Sequence, residues 1–310
     1  MDYFGIIKKA YEIIVKHKFL WIFGILAGGY GGLRSFNAGF PNYSYNASGS
    51  SSSGVDGWTK ILGHPLTSAD IAAFWANWGG LIIGLTIALL VIAILMFVLN
   101  LISQGALVGS VEKISKDQKS NFKDGFRLGA KQFWRIWAVA IIYLLMILVS
   151  LCIWIIPTCV LVITGVSVIA AIWGILFFFV SLAFWILIGL ISPYSLRVVV
   201  LEKFGIWQSI RESLHFFRDN WVRVILMYLL LLAFGFAFGL ALGLAILIIV
   251  AVLLVIGYGL YLATTIGAII YAAVAIFAVL IAIAVISGAY NSFYSSALTL
   301  TYLELGKKKS

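Results

Sequence analysis

Few residues of this chain have the types and the spacing that catalysis or metal binding requires. The histidines His17, His64 and His215 stand alone in the sequence, and we interpret each as a solvated helix residue. No Gly-rich phosphate loop, zinc-protease motif or nucleophile elbow is present. The sequence therefore predicts a protein that is not an enzyme and that has no cofactor and no metal site.

The cysteines Cys152 and Cys159 lie in one apolar run. On a continuous helix their separation corresponds to a rise of about 10 Å, which is too long for a disulfide. We therefore expect two free thiols in ordinary packing or lipid-facing positions.

The acidic residues avoid the middle of every long apolar run. They are Asp2, Glu12, Asp56, Asp70, Glu112, Asp117, Asp124, Glu202, Glu212, Asp219 and Glu304. Ionisable residues inside a membrane span are the usual mark of an ion or proton pathway. Their positions argue against a proton-coupled transporter.

Two groups of small or polar residues do lie inside the apolar runs. Gly235, Gly239 and Gly243 recur every four residues, which lets helices approach closely. We expect this face to pack against another span of this chain or of a second copy.

The last apolar run carries a polar stripe formed by Ser287, Asn291, Ser295 and Thr299. An Asn in hydrocarbon needs a hydrogen-bond partner, so the stripe is expected to face the bundle. We interpret it as a set of interhelical hydrogen bonds, with a substrate path as the alternative.

The composition identifies the class of protein that must position these residues. Of the 310 residues, 63% are hydrophobic and 10% are charged, and the mean hydropathy is +1.11. A soluble domain does not combine so few charges with so much apolar surface. Several runs also exceed the ~20 residues that a helix needs to cross a bilayer. The sequence predicts an all-α, polytopic transmembrane helical bundle that forms a single integral membrane domain.

About six spans account for the apolar runs. The predicted order is an interfacial helix at 1–18, span 1 at 19–33, an external loop at 34–78, span 2 at 79–104, a basic loop with an interfacial helix at 112–134, span 3 at 136–160, span 4 at 166–195, an interfacial helix at 201–221, span 5 at 222–256, span 6 at 260–303 and a basic tail at 304–310. The last apolar region fits two long spans or four short ones, and we prefer two. A signal peptide is the alternative for the first segment, but no clear cleavage site follows it.

Proline and glycine positions predict where the runs turn. Spans 3 and 4 are expected to turn at Pro157 or at Thr164–Gly165. Pro193 is expected to kink or end span 4, because proline removes a helix hydrogen bond. Spans 5 and 6 are expected to turn near Gly257–Gly259.

Three basic segments with one apolar face precede pairs of spans, and we interpret them as cytoplasmic interfacial helices. In the third, Ile206, Ile210, Leu214, Phe217 and Trp221 recur at helical spacing. The basic residues expected to contact anionic lipid headgroups are Lys8, Lys9, Lys16, Lys123, Arg127, Lys131, Arg211, Arg218 and Arg223. Contact with lipid explains the net charge of +10 better than binding of nucleic acid does.

The distribution of basic residues predicts the orientation. In a six-span arrangement, 19 of the 21 Lys and Arg residues lie on one side, and only Arg34 and Lys60 lie on the other. Basic residues in short loops stay in the cytoplasm. Both termini are therefore predicted to be cytoplasmic, in a bacterial inner or plasma membrane.

The basic segments also resemble one another. Segments 7–14 and 210–217 match at apolar, basic and small positions, and a looser copy lies at 126–134. The units point the same way, unlike the inverted repeats of many transporters. A threefold parallel repeat of surface helix plus hairpin is one explanation, and the general likeness of amphipathic segments that enter hairpins is the other.

The order of these residues resembles a bacterial membrane family. The pattern comprises Pro193, Val198–Glu202, Gly205, Ser209–Leu214 and Asn220–Trp221, with further likeness at Ala10–Tyr11, Trp21 and Ala297–Tyr302. It is similar to the membrane domain attached to glycerophosphoryl diester phosphodiesterases and to related six-span proteins. In the enzyme members, catalysis belongs to a separate soluble domain, for which this chain has no room. The resemblance implies a bacterial inner-membrane protein without that activity.

These observations favour a non-enzymatic membrane scaffold or accessory protein that binds anionic lipid at its cytoplasmic face. The alternative is a permease or lipid-handling protein with an uncharged cavity, since apolar solutes need no intramembrane charge. Binding of a protein partner or of a second copy stays open.

Overall fold

The computed structural model describes residues 2–36, 68–202, 204–263 and 265–307. Within these ranges the regular elements are α-helices, as predicted, and the structure contains no strand there. The helices are α1 (Tyr3–Lys16), α2 (Phe19–Phe36), α3 (Ser68–Ser115), α4 (Phe122–Ile163), α5 (Ser167–Leu201), α6 (Ile206–Ala263) and α7 (Thr265–Lys307).

Five of the described helices are long and apolar enough to cross a membrane. The segments are Phe74–Ser115, Phe122–Ile163, Val168–Leu201, Ile206–Gly259 and Ile269–Gly306. Helix α2 contributes a shorter apolar stretch, Phe19–Gly28, which is below the ~20 residues of a typical span. The class of membrane protein is therefore supported, whereas length and composition give five spans and not the predicted six.

The chain divides into two compact units. One comprises Met1–Phe36 and Leu99–Ser310, and the other comprises Asn37–Val98. In the second unit, nearly all of the large apolar side chains from Phe74 to Phe97 are exposed. Such a surface is stable in hydrocarbon, because lipid tails are as apolar as these side chains and no hydrophobic effect favours their burial in protein. The predicted loop at 34–78 lies largely outside the described residues.

Helices continue through positions that the sequence predicted as loops or ends. Helix α4 runs unbroken from Phe122 into the apolar run, so the interfacial helix predicted within 112–134 is continuous with span 3, and residues 116–121 alone connect α4 to α3. Pro157 lies inside α4 and Pro193 inside α5. Packed membrane helices tolerate proline because neighbouring groups satisfy the freed backbone atoms.

One of the predicted turns is confirmed and another is not. Between α4 and α5 the chain turns at Thr164–Gly165, where Gly165 has a φ of +79°, a conformation that glycine adopts without a steric penalty. Helix α6 continues through the predicted turn at Gly257–Gly259 and reaches Ala263, so the last region forms two long helices.

Helix α6 bends at Asn220, where φ is −126° and ψ is 21°. The Asn220 amide donates to the carbonyl of Phe216 at 3.3 Å, and its oxygen accepts from Arg223 at 3.1 Å. Asparagine side chains compete with the helix backbone for such bonds. The bend separates the first turns of α6, Ile206–Asp219, from the long apolar part that follows.

The protein core of the first unit lies at one end of the helices. Buried residues concentrate in Leu101–Val111 of α3, Ile191–Val200 of α5 and Ser292–Tyr302 of α7, together with one face of α1 and of the first turns of α4 and α6. We call this region the basic end, because the Lys- and Arg-rich segments adjoin it. Towards their other ends the long helices expose most of their large apolar side chains.

Helices α2 and α7 cross with their backbones in close contact. A Cβ on Gly24 would lie 1.9 Å from the carbonyl oxygen of Gly288, and one on Gly288 would lie 2.9 Å from the backbone nitrogen of Ile25. The hydroxyl of Ser292 donates to the carbonyl of Leu20 at 2.7 Å. Small residues are what allow membrane helices to approach this closely.

Replacing Gly24 by Ala should therefore force α2 and α7 apart. We expect Gly24→Ala to lower the free energy of unfolding by about 1–3 kcal/mol, as overpacking does in other cores. Equilibrium unfolding by SDS in mixed micelles would measure the change. Gly189→Ala is the matched control, because nothing lies within 4 Å of a Cβ at Gly189. Equal stabilities for the two variants would contradict the close crossing.

Candidate functional site

The most unusual side chain at the basic end is Arg197, which is 3% exposed although it carries a charge. Its Nε donates to the Thr299 hydroxyl at 3.2 Å, and its terminal nitrogens donate to the carbonyls of Pro193 at 2.5 Å and Ser295 at 3.0 Å. The guanidinium also lies 5.9 Å from the ring centroid of Tyr194. Among the described residues it forms no ion pair with a carboxylate.

Arg197 is thus held by neutral oxygen atoms and an aromatic ring. A buried charge is strongly destabilising unless hydrogen bonds compensate for the water it has lost. The bonds to Ser295 and Thr299, one helical turn apart, fix the register of α5 against α7. Span 4 was predicted to end at residue 195, whereas helix α5 continues through Arg197 to Leu201.

A sequence signal for this residue did exist. Arg197 is followed by four apolar residues, Val198–Leu201, before the acid Glu202. An arginine with apolar residues on both sides is typical of a buried or interfacial position and not of a loop. Because Arg197 also lies at the end of an apolar run, its charge was assigned to the cytoplasmic side together with those of the loop residues.

A chain of hydroxyl groups joins three helices beside Arg197. The Tyr143 hydroxyl of α4 and the Ser195 hydroxyl of α5 are 2.6 Å apart, and Ser195 is again 2.6 Å from the Ser213 hydroxyl of α6. Gln132 of α4 donates to the Val200 carbonyl of α5 at 3.0 Å. These contacts attach the first turns of α4 and α6 to the end of α5.

Each of the three basic segments buries a small residue at the centre of its inner face. The buried sets have the same spacing, and they are Ile6, Ala10 and Ile13 in α1, Gly125, Gly129 and Gln132 in α4, and Ser209, Ser213 and Phe216 in α6. At Gly129 the approach is closest, since a Cβ there would lie 2.0 Å from the carbonyl oxygen of Ile102 in α3. A small central residue lets a crossing helix lie directly on its partner.

The inner face of the third segment differs from the predicted one. Leu214 and Trp221 are 49% and 56% exposed, whereas Ser209 and Ser213 are completely buried. Part of the predicted apolar stripe therefore faces outwards. In a membrane protein, close helix packing selects small residues, and large apolar side chains remain stable in contact with lipid.

Each basic segment lies on the end of one long helix. Helix α1 packs on α7, the first turns of α4 pack on α3, and the first turns of α6 pack on α5 through the Tyr194 and Phe216 rings, 5.2 Å apart. The segments of α4 and α6 therefore rest on the helix that precedes them in sequence. The segments of α4 and α6 also contact the hairpin that follows them, through the Gln132 bond to the Val200 carbonyl of α5 and the Phe216–Tyr302 ring contact with α7 at 5.0 Å.

The outer faces carry what we call the three exposed stripes. They are Phe4, Lys8, Tyr11 and Val15 in α1, Lys123, Arg127, Ala130 and Trp134 in α4, and Trp207, Arg211, Leu214 and Arg218 in α6. Phe4, Trp134 and Trp207 are 78%, 71% and 77% exposed. Two residues before each buried small residue stands a basic one, namely Lys8, Arg127 or Arg211.

The basic residues predicted to meet lipid are all exposed. Besides those on the three exposed stripes, Lys9, Lys16, Lys131 and Arg223 lie on neighbouring surface of the same segments. Their exposure permits contact with headgroups, and the contact itself stays a prediction.

The three glycines predicted to pack against another helix have different surroundings. A Cβ on Gly235 would lie 2.3 Å from the Tyr290 hydroxyl, whereas nothing lies within 4 Å of one on Gly239 or Gly243. Packing of that whole face against a second copy stays a prediction. Within the first unit, the closest glycine contact is that of Gly24 with Gly288.

The predicted polar stripe of α7 faces two different neighbours. The Asn291 side-chain nitrogen lies 2.1 Å from a Cβ built on Gly28 of α2 and has no hydrogen-bond partner among the residues that the structure describes. One and two turns further on, Ser295 and Thr299 contact Arg197. Ser287 donates to a carbonyl of its own helix.

The described residues contain no group of three or more His, Cys, Asp and Glu that could hold a metal ion. Cys152 and Cys159 are both exposed and unpaired.

Removing the Thr299 hydroxyl should leave the buried Arg197 Nε without an acceptor. We expect Thr299→Val to lower the free energy of unfolding by about 1–3 kcal/mol, the range for an unsatisfied buried donor. Unfolding in SDS mixed micelles would measure the loss.

Thr301→Val is the control, since Thr301 is equally buried on α7 but donates only to the Ala297 carbonyl of its own helix. Losses of the same size in both variants would show that the bond to Arg197 adds nothing to stability.

Comparison with known proteins gives one family match for this chain. A model of a family of unknown function (DUF7544) matches residues 18–304. No curated protein and no solved structure matches the chain. No link to the membrane domain of glycerophosphoryl diester phosphodiesterases emerges, so what that resemblance implied has no support from the comparisons. Because the family model covers most of its length, the chain belongs to the DUF7544 family, whose function is unknown.

Proposed function

We propose that this protein is a non-enzymatic, multi-pass scaffold or accessory protein of the cell membrane, and that its cytoplasmic face binds anionic lipid headgroups. The observation that carries the proposal is the common design of the three exposed stripes. Each places a basic residue, Lys8, Arg127 or Arg211, among exposed aromatic or apolar residues.

The physical chemistry of the interface suits such stripes. Trp and Tyr prefer the headgroup region, where an apolar ring and a polar group are both solvated. Each Lys or Arg close to an anionic surface contributes about 1 kcal/mol of binding free energy. Three segments acting together would hold the basic end firmly at the membrane surface, with the inner faces on protein and the outer faces in lipid.

The arrangement of the termini supports the six-span topology with both ends in the cytoplasm. Helix α1 packs on α7, and one cavity is lined by Asp2 and Lys9 of α1 and by Glu304 of α7. This packing supports a topology in which both ends lie on the same side, and such a topology would have an even number of crossings. The long helices α3 to α7 provide five, so α2 would supply the sixth.

The six-span topology predicts where an introduced thiol is accessible. In a background with Cys152→Ser and Cys159→Ser, we expect a cysteine at Ser51 to react with a membrane-impermeant maleimide from outside intact cells. A cysteine at Lys119, in the link between α3 and α4, should react only after the membrane is opened. Labelling of both positions from the same side would overturn the six-span topology.

The proposal also predicts a preference for anionic lipid that depends on the stripes. Lys8→Gln, Arg127→Gln and Arg211→Gln should each weaken the preference for phosphatidylglycerol over phosphatidylcholine by about fivefold, which corresponds to the ~1 kcal/mol expected for each basic residue. Association of spin-labelled lipids with the purified protein would measure the preference, which should also fall as salt rises.

Lys119→Gln provides the control, because it removes the same charge from the link at 116–121, outside the three exposed stripes. If the control weakened the preference as much as the stripe variants do, general electrostatics would explain the effect. An unchanged preference in the triple variant would rule out the stripes as the lipid-binding surface.

A lipid-handling protein is the second candidate, and one observation favours it. An entirely apolar groove of about 280 Å³ lies between α6 and α7, lined by residues that include Leu242, Ala245, Ala278 and Ala282. Small side chains open this groove at the depth of the spans, where an acyl chain would fit. Transfer of lipid between vesicles by the reconstituted protein would decide for this candidate.

A further inference from the structure

A second cavity, of about 270 Å³, lies at the basic end between α1, the end of α3 and the end of α7. Its lining combines the charged residues Asp2, Lys9, Lys116 and Glu304 with the apolar side chains of Ile6 and Leu300. Such a mixture of both charge signs and apolar wall is unlike the groove between α6 and α7, which has no polar lining.

Two of the four charges already have partners. The Lys116 ammonium lies 2.6 Å from Glu112, and the Asp2 carboxylate accepts from the backbone of Gly5 at 2.9 Å. Lys9 and Glu304 form no ion pair or side-chain hydrogen bond within the part of the chain that the structure describes. One cation and one carboxylate thus face the same cavity without pairing with each other.

The size of the cavity limits what it can hold. A water molecule occupies about 30 Å³ of liquid volume, so the cavity has room for roughly nine waters. Pockets for drug-sized ligands start at about 300 Å³. The space therefore fits a lipid headgroup with its first methylene groups, and not a whole lipid.

We propose that this cavity binds a phosphoethanolamine group, with the phosphate at Lys9 and the primary ammonium at Glu304 and Asp2. The position of the cavity at the ends of apolar spans makes a phospholipid the source of the group. Ile6 and Leu300 then contact the glycerol and the first methylenes. The site is separate from the three exposed stripes, and its occupancy does not depend on the function proposed for them.

The chemistry of the ammonium distinguishes this ligand from the commonest related headgroup. A primary ammonium has three N–H donors for the carboxylates. The trimethylammonium of phosphatidylcholine carries the same charge but no donor. Discrimination between the two lipids therefore reports hydrogen bonding to Glu304 and Asp2.

Thermal unfolding of the purified protein in detergent, with lipids of identical chains added, tests the proposal. We expect phosphatidylethanolamine to raise Tm more than phosphatidylcholine or phosphatidylglycerol does. Lys9→Gln and Glu304→Gln should each remove that excess. Lys16→Gln is the control, because it removes the same charge from α1 at a residue outside the cavity, and it should keep the excess.

If phosphatidylethanolamine and phosphatidylcholine raised the Tm of the unaltered protein equally, that result alone would overturn the proposal. Retention of the excess in both cavity variants would overturn it as well, and if one variant failed to fold, the other would decide. Soluble O-phosphoethanolamine distinguishes the two possible sources of the phosphoethanolamine group, a phospholipid and a free metabolite. No Tm increase from the soluble compound supports the lipid, whereas an increase that Lys9→Gln removes would assign the site to a free metabolite.

Discussion

The guanidinium of Arg197 has to find its partners inside the protein, and the packing of the basic end follows from that requirement. Its bonds to Ser295 and Thr299 hold α5 against α7. The neighbouring residues of the same helical turn, Tyr194 and Ser195, contact α6 and α4. One turn of α5 thus touches three other helices, so a shift of α5 would break all these contacts together.

The class of the fold could be predicted from the sequence, because long uncharged runs have few stable alternatives to membrane helices. Single residues were harder. Gly24 and Gly288 stand far apart in the sequence, so their contact leaves no local pattern, whereas the visible spacing of Gly235, Gly239 and Gly243 drew attention to a face that is partly open. Periodicity locates an apolar stripe but cannot say which part of it meets protein and which part meets lipid.

The inner and outer faces of the basic segments obey different packing rules. Ser213 and Gly129 are buried because small residues permit close contact, while Trp207 and Trp134 remain exposed. The residues of the inner surface thus fit the shape of the neighbouring helix, whereas those of the outer surface suit the medium around the protein. Burial in the protein is a poor guide to hydrophobicity here, since lipid solvates large apolar side chains as well as a core does.

The position of α1 on the end of α7 has a consequence for the order of the chain. The segments of α4 and α6 rest on the helices that immediately precede them, and α1 rests on the helix that would precede it if the two termini were joined. The three docking pairs therefore follow one cyclic rule although the polypeptide is linear. A circular permutant cut in the link at 116–121, with the two ends of the sequence joined by a linker, is therefore expected to keep all three of these docking contacts.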